Sequence, residues 1–292
     1  MNGILLIDKP QEWTSHDVIA KLRGLLRERR IGHAGTLDPM ATGLLTVFVG
    51  RATRAVEFAE AQEKTYIAGL RLGLVTDTQD ITGRVLRESK TVVSRAELEA
   101  VLPRFLGEIQ QIPPMYSAIK VDGKRLYKLA RQGIEVERKA RSVTIQDIRI
   151  LGESDGGFEL QVSCSKGTYI RTLCHDIGEA LGCGGTMSAL RRTRVGDYFL
   201  GDAYTLEQIA AEENDRSRFL RPVDTLFAGY PALTVDADGE WRLRNGQRIR
   251  VEATGVERCR VYGQSGEFLA LGEVLDGDVL VTMKSFFEPV SL

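Results

Sequence analysis

The sequence predicts an α+β protein of two unequal parts. A mixed, mainly antiparallel sheet domain flanked by helices is expected at residues 1–225, and a small β-barrel at 226–292. Three observations predict this. Strand-like and helix-like segments are interspersed up to about residue 225. After Arg221-Pro222 the chain changes to short strands separated by Gly-containing turns, which places a boundary near 225–230. Finally, 292 residues of which 43% are hydrophobic suffice for one large core and one small one. On this division the first part is expected to fold by itself.

Residues 4–7 form a short apolar run that Lys9-Pro10 stops, as in a strand. Ser15 then precedes Val18, Ile19, Leu22, Leu25 and Leu26, which is helical spacing behind an N-cap. Residues 32–43 read as a glycine-rich turn region, 44–49 as a buried strand, 64–72 as another strand and 76–83 as a polar loop. Ser94-Arg95-Ala96-Glu97 is a capping box opening a helix that ends near Gly107. Ile112-Pro113-Pro114 breaks the chain. A strand-like stretch at 115–121, the turn Asp122-Gly123 and an amphipathic helix ending at Gly133 follow, an excursion from the domain at about 115–140. Strands return at 142–151 and 158–165. Gly167 turns the chain into a helix over 168–181, and 205–211 is expected to be the last large helix. Beyond it, short strands dominate 233–283, with brief helical spacing at 241–245.

Charge excludes little. Lys+Arg and Asp+Glu nearly cancel, at 39 against 40, so the whole-chain balance neither favours nor opposes a polyanionic partner. No window approaches eighteen apolar residues, which predicts no membrane span. Met1-Asn2-Gly3-Ile4-Leu5-Leu6-Ile7-Asp8-Lys9 has too short an apolar run and no basic leader for a signal peptide. Cys164, Cys174, Cys183 and Cys259 match no zinc spacing and are expected as reduced thiols. A cytoplasmic, soluble, metal-free protein is therefore expected.

Local charge is more informative. Lys120, Lys124, Arg125, Lys128 and Arg131 occupy the excursion, with Arg138, Lys139 and Arg141 beyond and Tyr116 and Tyr127 interleaved. Arg191, Arg192 and Arg194 form a second cluster, and Arg242, Arg244, Arg248 and Arg250 a third. Basic residues with aromatics on a protruding element suit an RNA-gripping surface, although each cluster alone also reads as a solvated face.

The most distinctive stretch is Gly32-His33-Ala34-Gly35-Thr36-Leu37-Asp38-Pro39-Met40-Ala41-Thr42-Gly43. Pro39 disfavours the α region for Asp38, and the glycines permit close backbone approach. A stiff loop of this kind can present an acid to a cleft. A tight turn with a capping aspartate is the plainer reading.

That loop resembles the catalytic loop of the TruB family of pseudouridine synthases, whose aspartate falls on Asp38. Gly3-Ile4-Leu5-Leu6-Ile7-Asp8-Lys9-Pro10 is similar to the family's first motif. Lys64-Thr65-Tyr66 resembles the motif bearing its active-site tyrosine, and Thr76-Asp77-Thr78-Gln79-Asp80 the acidic loop that follows. Gln111-Ile112-Pro113-Pro114-Met115-Tyr116-Ser117-Ala118 and Gly167-Thr168-Tyr169-Ile170-Arg171-Thr172-Leu173 match its later signatures in order. The resemblance covers about residues 1–225; the remainder resembles a PUA domain more weakly, best at 269–281.

The resemblance implies isomerisation of uridine 55 in the tRNA T-loop, with no cofactor and no metal. It implies Asp38, Tyr66 and Arg171 as catalytic residues. Asp38 would be nucleophile or charge stabiliser, toward the ribose or the base. Arg171 would keep it ionised and bridge it to Asp80. Tyr66 would stack on the base, with its hydroxyl near the proton lost from C5. His33, Asp80, Tyr169, Leu190 and Lys9 would bind substrate, His33 by filling the space left by the flipped base. The implied partner is tRNA, gripped at the T-arm by the excursion and at the acceptor end by the PUA-like part. No membrane and no obligate protein partner are implied, and a monomer is expected. Three other readings compete: a glycosidase using Asp38 and Asp80 as a carboxylate pair, an RNA-binding or tRNA-folding module with an idle pocket, and a guide-RNA-dependent relative.

Overall fold

The structure is a computed structural model. It describes residues 1–287 apart from Ala118, Asp122, Arg131, Asp155, Ala253 and Thr254, and apart from the side chains of Lys120, Arg125 and Ser154. The predicted turn residue Asp122, Arg131 of the first basic cluster and the side chains of Lys120 and Arg125 therefore lie outside the description.

Along the chain come strand β1 (Gly3–Lys9), helix α1 (Ser15–Leu26), β2 (Ile31–Ala34), β3 (Thr42–Val49), α2 (Val56–Ala61) and β4 (Lys64–Leu72). The hairpin of β5 (Leu74–Thr76) and β6 (Val85–Glu88), α3 (Arg95–Val101) and β7 (Gly107–Gln111) follow. The excursion holds β8 (Lys120–Val121), β9 (Lys124–Arg125) and α4 (Leu126–Ala130). Then come β10 (Arg141–Ser154), β11 (Gly157–Cys164), α5 (Ile170–Ala180), β12 (Gly185–Val195), β13 (Tyr198–Phe199) and α6 (Leu206–Ala211). The remainder is β14 (Ala232–Thr234), α7 (Ala237–Arg244), β15 (Ile249–Arg250), β16 (Arg258–Tyr262), β17 (Phe268–Leu275) and β18 (Val279–Ser285).

Among the described residues, nine strands form one sheet with the spine β1-β3-β12-β4-β11-β10-β7; β2 pairs with β3 and β13 with β12. All pairings are antiparallel except β12 with β3. The predicted mixed, mainly antiparallel α+β architecture is thus present. Because side chains alternate along a strand, β1 sends Leu5 and Ile7 to one face and Ile4 and Leu6 to the other. Leu5 and Ile7 pack with Val18, Ile19 and Leu22 of α1. Ile4 and Leu6 pack with Phe48, Phe227, Leu271 and Phe286. Both faces are covered, so the strand reads as an uninterrupted apolar run.

The second sheet, β14-β16-β17-β18-β15, curls into a half-barrel, in keeping with the small β-barrel expected there, and β14 and β15 are its unjoined edges among the described residues. Its Leu271 and Phe286 enter the same core as Ile4, Leu6 and Phe48, with Phe58 and Phe227 ring centroids 5.2 Å apart alongside. The shared core opposes the expectation that residues 1–225 fold alone. A cut there would bare a buried apolar face at roughly 1.5–3 kcal/mol per side chain, against a total stability of about 5–15 kcal/mol.

Other departures have local causes. Thr14, not Ser15, caps α1, because Thr14 and Asp17 make the reciprocal box. The predicted strand at 115–121 shrinks to Lys120–Val121. The helix 206–211 is followed by a longer one, α7. The central strand β12 was not foreseen. Bulges between Met187 and Ala189 and between Arg192 and Arg194 break its alternation.

Candidate active site

The loop between β2 and β3 carries Asp38, and it is pinned from three sides. The Ser15 hydroxyl, freed from capping, accepts from Leu37 N at 3.0 Å and lies 3.2 Å from Leu37 O. Lys9 Nζ donates to Pro10 O and Trp13 O, both at 2.7 Å, and to Pro39 O at 3.4 Å. Glu12 N donates to Pro39 O. Arg192 Nε donates to Leu44 O at 2.7 Å and Nη2 to Gly35 O at 2.9 Å. Gly43 has φ +96°, and a Cβ there would stand 2.4 Å from Arg192 O, so only glycine fits where loop becomes strand.

Arg171 lies in the first turn of α5. The start of that helix is fixed by Gln111 at the end of β7, whose side-chain amide bonds Tyr169 N at 3.0 Å and Tyr169 O at 3.2 Å. From there the guanidinium reaches Asp38 Oδ2 with Nη2 (3.1 Å) and Asp80 Oδ2 with Nη1 (3.4 Å). Nη2 also donates to Tyr116 O at 2.9 Å, which stitches the excursion to the site. Asp80 is itself held by Thr78 Oγ1 (2.9 Å), Thr82 N (3.0 Å) and Thr82 Oγ1 (2.5 Å). One arginine therefore bridges two carboxylates, one buried and fully hydrogen-bonded, the other open: the Asp38 side chain is 40% exposed and that of Asp80 6%.

Burial pushes the Asp38 carboxyl above its ordinary range, and the Arg171 charge pulls it back down. Tyr66, on β4, is pushed up by burial, with the Arg192 guanidinium acting in the opposite sense. Tyr66 packs in one cluster with Leu37 and Ala41 of the loop, and Leu190 and Met40 lie against that cluster. Burial also raises Tyr169. The bridge thus joins Asp38, Arg171 and Asp80, while Tyr66 and Leu190 pack in the apolar cluster that takes in the loop carrying Asp38.

The Lys9 side chain is fully buried and its ammonium faces backbone carbonyls, so its place beneath the loop suits holding Pro39, not touching substrate. Burial lowers it to about 8. His33, on β2, packs edge-on against His16 with centroids 5.7 Å apart, and its buried Nδ1 has no hydrogen-bond partner among the described residues. Burial, His16 and Arg192 push it down to about 4, so it stays neutral at physiological pH. The folded pKa lies below the ordinary 6.5, so His33 favours folding above pH 6.5, and this contribution is lost as pH falls toward 4. The span corresponds to roughly 3 kcal/mol at most. Urea unfolding at pH 7 and pH 4.5 should show wild type losing more stability than His33→Gln; equal losses would contradict it.

Three site residues escaped the sequence reading. Ser15 reads as a cap, Gln111 lies in an edge strand that the sequence does not predict, and Arg192 reads as one of three surface arginines. The second basic cluster is in fact divided. Arg192 is buried, Arg191 pairs with Asp8 (2.7 Å), and Arg194 lies over Phe199. In the excursion, Lys124, Lys128, Lys139 and Arg141 are exposed. In the third cluster Arg242 and Arg244 pair with acids, while Arg248 and Arg250 are exposed. A cavity of about 500 Å³ away from Asp38 is lined by Arg51, Arg54, Arg244 and Arg248. Among the described residues, no three His, Cys, Asp or Glu side chains converge in a metal-holding group, and no helix is long and apolar enough to cross a membrane.

Comparison with known proteins gives a consistent result. Residues 23–170 match the TruB family pseudouridylate synthase N-terminal domain, and 171–228 the tRNA pseudouridylate synthase B C-terminal domain. Residues 231–282 match the pseudouridine synthase II TruB C-terminal family. The chain is 45% identical over 280 residues to tRNA pseudouridine synthase B of Azoarcus sp. (strain BH72), covering 96% of this chain and 93% of the relative. It is 47% identical over 274 residues to the protein of that name in Ralstonia nicotianae (strain ATCC BAA-1114 / GMI1000), covering 91% and 87%. Among solved structures, the crystal structure of a Cbf5-Nop10-Gar1 complex contains a chain that matches with TM-score 0.75 and 26% identity, over 98% of this chain and 85% of that one.

Proposed function

Because the chain belongs to the TruB family of pseudouridine synthases, we propose that it isomerises uridine 55 in the tRNA T-loop, with Asp38 as the catalytic carboxylate. That it is a pseudouridine synthase acting on tRNA follows from the family. The reaction breaks the C1′–N1 glycosidic bond and forms C1′–C5. The C5 proton leaves and N1 gains one, so the product is an isomer.

The observation that carries the residue assignment is the Asp38–Arg171–Asp80 bridge, in which the Asp38 side chain is 40% exposed. Asp38 must be ionised to attack or to stabilise positive charge, and Arg171 opposes the burial that would protonate it. Asp80 works from behind, orienting Arg171. Tyr66 stacks on the flipped base and takes the C5 proton; Leu190 and Tyr169 wall the base, and His33 fills the space that it leaves in the T-loop. Extruding the uridine costs a few kcal/mol, which phosphate contacts elsewhere offset. The exposed lysines of the excursion would grip the T-arm, and Arg248 and Arg250 of the PUA-like unit at 226–292 the acceptor end. The protein would work as a cytoplasmic monomer without a protein partner.

The carboxylate-pair glycosidase is disfavoured by the same geometry. Asp80 is buried and already accepts from Thr78, Thr82 and Arg171, so it has no free oxygen with which to protonate a leaving group.

The test is a T-arm hairpin incubated with the purified chain, followed by chemical mapping of pseudouridine. One modification at the position corresponding to uridine 55, abolished when that base is cytidine, is the expected result. Modification elsewhere, or hairpin binding without modification, would contradict the proposal.

A further inference from the structure

Arg192 holds an unusual position for a cation. Its side chain is 1% exposed, and among the described residues no carboxylate stands within ion-pair distance of it. Burying a guanidinium against neutral carbonyls alone is costly, and an apolar side chain of similar volume would serve packing better. The contacts that it makes are specific. Nε binds Leu44 O and Nη2 binds Gly35 O, the two ends of the loop that carries Asp38. Its backbone pairs with Gly43 on one side and with Tyr66 on the other. The Gly43 contact is close enough to exclude a Cβ. The residue therefore touches both elements whose spacing the chemistry needs fixed.

We infer that Arg192 is a positioning residue that clasps both ends of the Asp38 loop to the strand carrying Tyr66. The inference rests on Asp38 and Tyr66 being the reacting groups. A planar fork suits the task, because two donors at fixed separation set the gap between two carbonyls, as a flexible ammonium does not. The cation has a second consequence. Tyr66 is faced by Arg192 from β12, Cys164 from β11 and Asp38 from the loop, and of these only Arg192 favours the phenolate. Removing the charge therefore makes Tyr66 a weaker acid still.

The experiment compares wild type, Arg192→Lys, Arg192→Gln and Tyr66→Phe in the full chain. The readouts are thermal melting, tRNA affinity by filter binding, and single-turnover pseudouridine formation against pH. Arg192→Lys is expected to melt near wild type, bind tRNA within about threefold and react about 10²-fold more slowly, the scale of a loosened reacting group. In Arg192→Gln the rate should fall further, and its rise with pH should move to higher pH. Should Arg192→Gln fail to fold, Arg192→Lys decides alone. A near-wild-type rate in the folded variant, or a rate loss matched by lost affinity, overturns the inference. The underlying reading fails differently: Tyr66→Phe would then keep the wild-type rate.

Discussion

Asp38→Asn is expected to lose turnover by on the order of 10⁴-fold or more while binding tRNA within a few-fold. The amide is isosteric with the carboxylate but carries no charge and is a poor nucleophile. Arg171 keeps Asp80 as a partner, so no buried cation is stranded, and the loop keeps its bonds to Ser15, Lys9 and Arg192. The variant should therefore fold. Affinity should survive because it arises mainly from many phosphate contacts elsewhere. Single-turnover pseudouridine formation, with mass spectrometry to exclude deamidation back to Asp, is the measurement. Appreciable turnover in intact Asp38→Asn would remove Asp38 from the chemistry.

Arg171→Lys should lower the rate by about 10²–10⁴-fold with tRNA affinity within about tenfold. Two guanidinium nitrogens serve four acceptors: Asp38 Oδ2 and Tyr116 O on one, Asp80 Oδ2 and Thr78 O on the other. A single ammonium cannot reach both carboxylates in that geometry, although it preserves the charge. Single-turnover rates beside filter binding of unmodified tRNA separate the cases. A near-wild-type rate would mean that charge alone suffices. An affinity loss as large as the rate loss would make Arg171 an RNA-binding residue.

What the sequence revealed and what it hid have physical causes. The apolar runs of β1 and β3 and the 3.6-residue spacing of α1 announce an α+β core, because burial on both faces leaves no polar alternation to obscure them. Ordered motifs located Asp38, Asp80 and Arg171, which the fold brings together from two loops and a helix. Strand β12 escaped because its two bulges disrupt period-two patterning, and with it the burial of Arg192 was missed. From Leu190 onward, Leu190-Arg191-Arg192-Thr193-Arg194-Val195 offered a strand-like mixture of β-branched and long side chains, a signal weaker than three arginines on a presumed surface. The Gly107–Gln111 strand was invisible because it lies at the sheet edge, where four of its five residues are polar or glycine. The shared core of the two sheets was equally unreadable, since Leu271 and Phe286 carry no mark of which face they bury.

Release of tritium from tRNA transcribed with uridine labelled at C5 tests the central assignment most directly. Forming C1′–C5 expels the hydrogen at C5, so each modified uridine frees one label to water. The account predicts that wild type releases one label per tRNA, from the T-loop uridine, and that Asp38→Asn releases none although the tRNA is bound. Release by Asp38→Asn at a rate near wild type, or none from wild type on a tRNA that it binds, would contradict it.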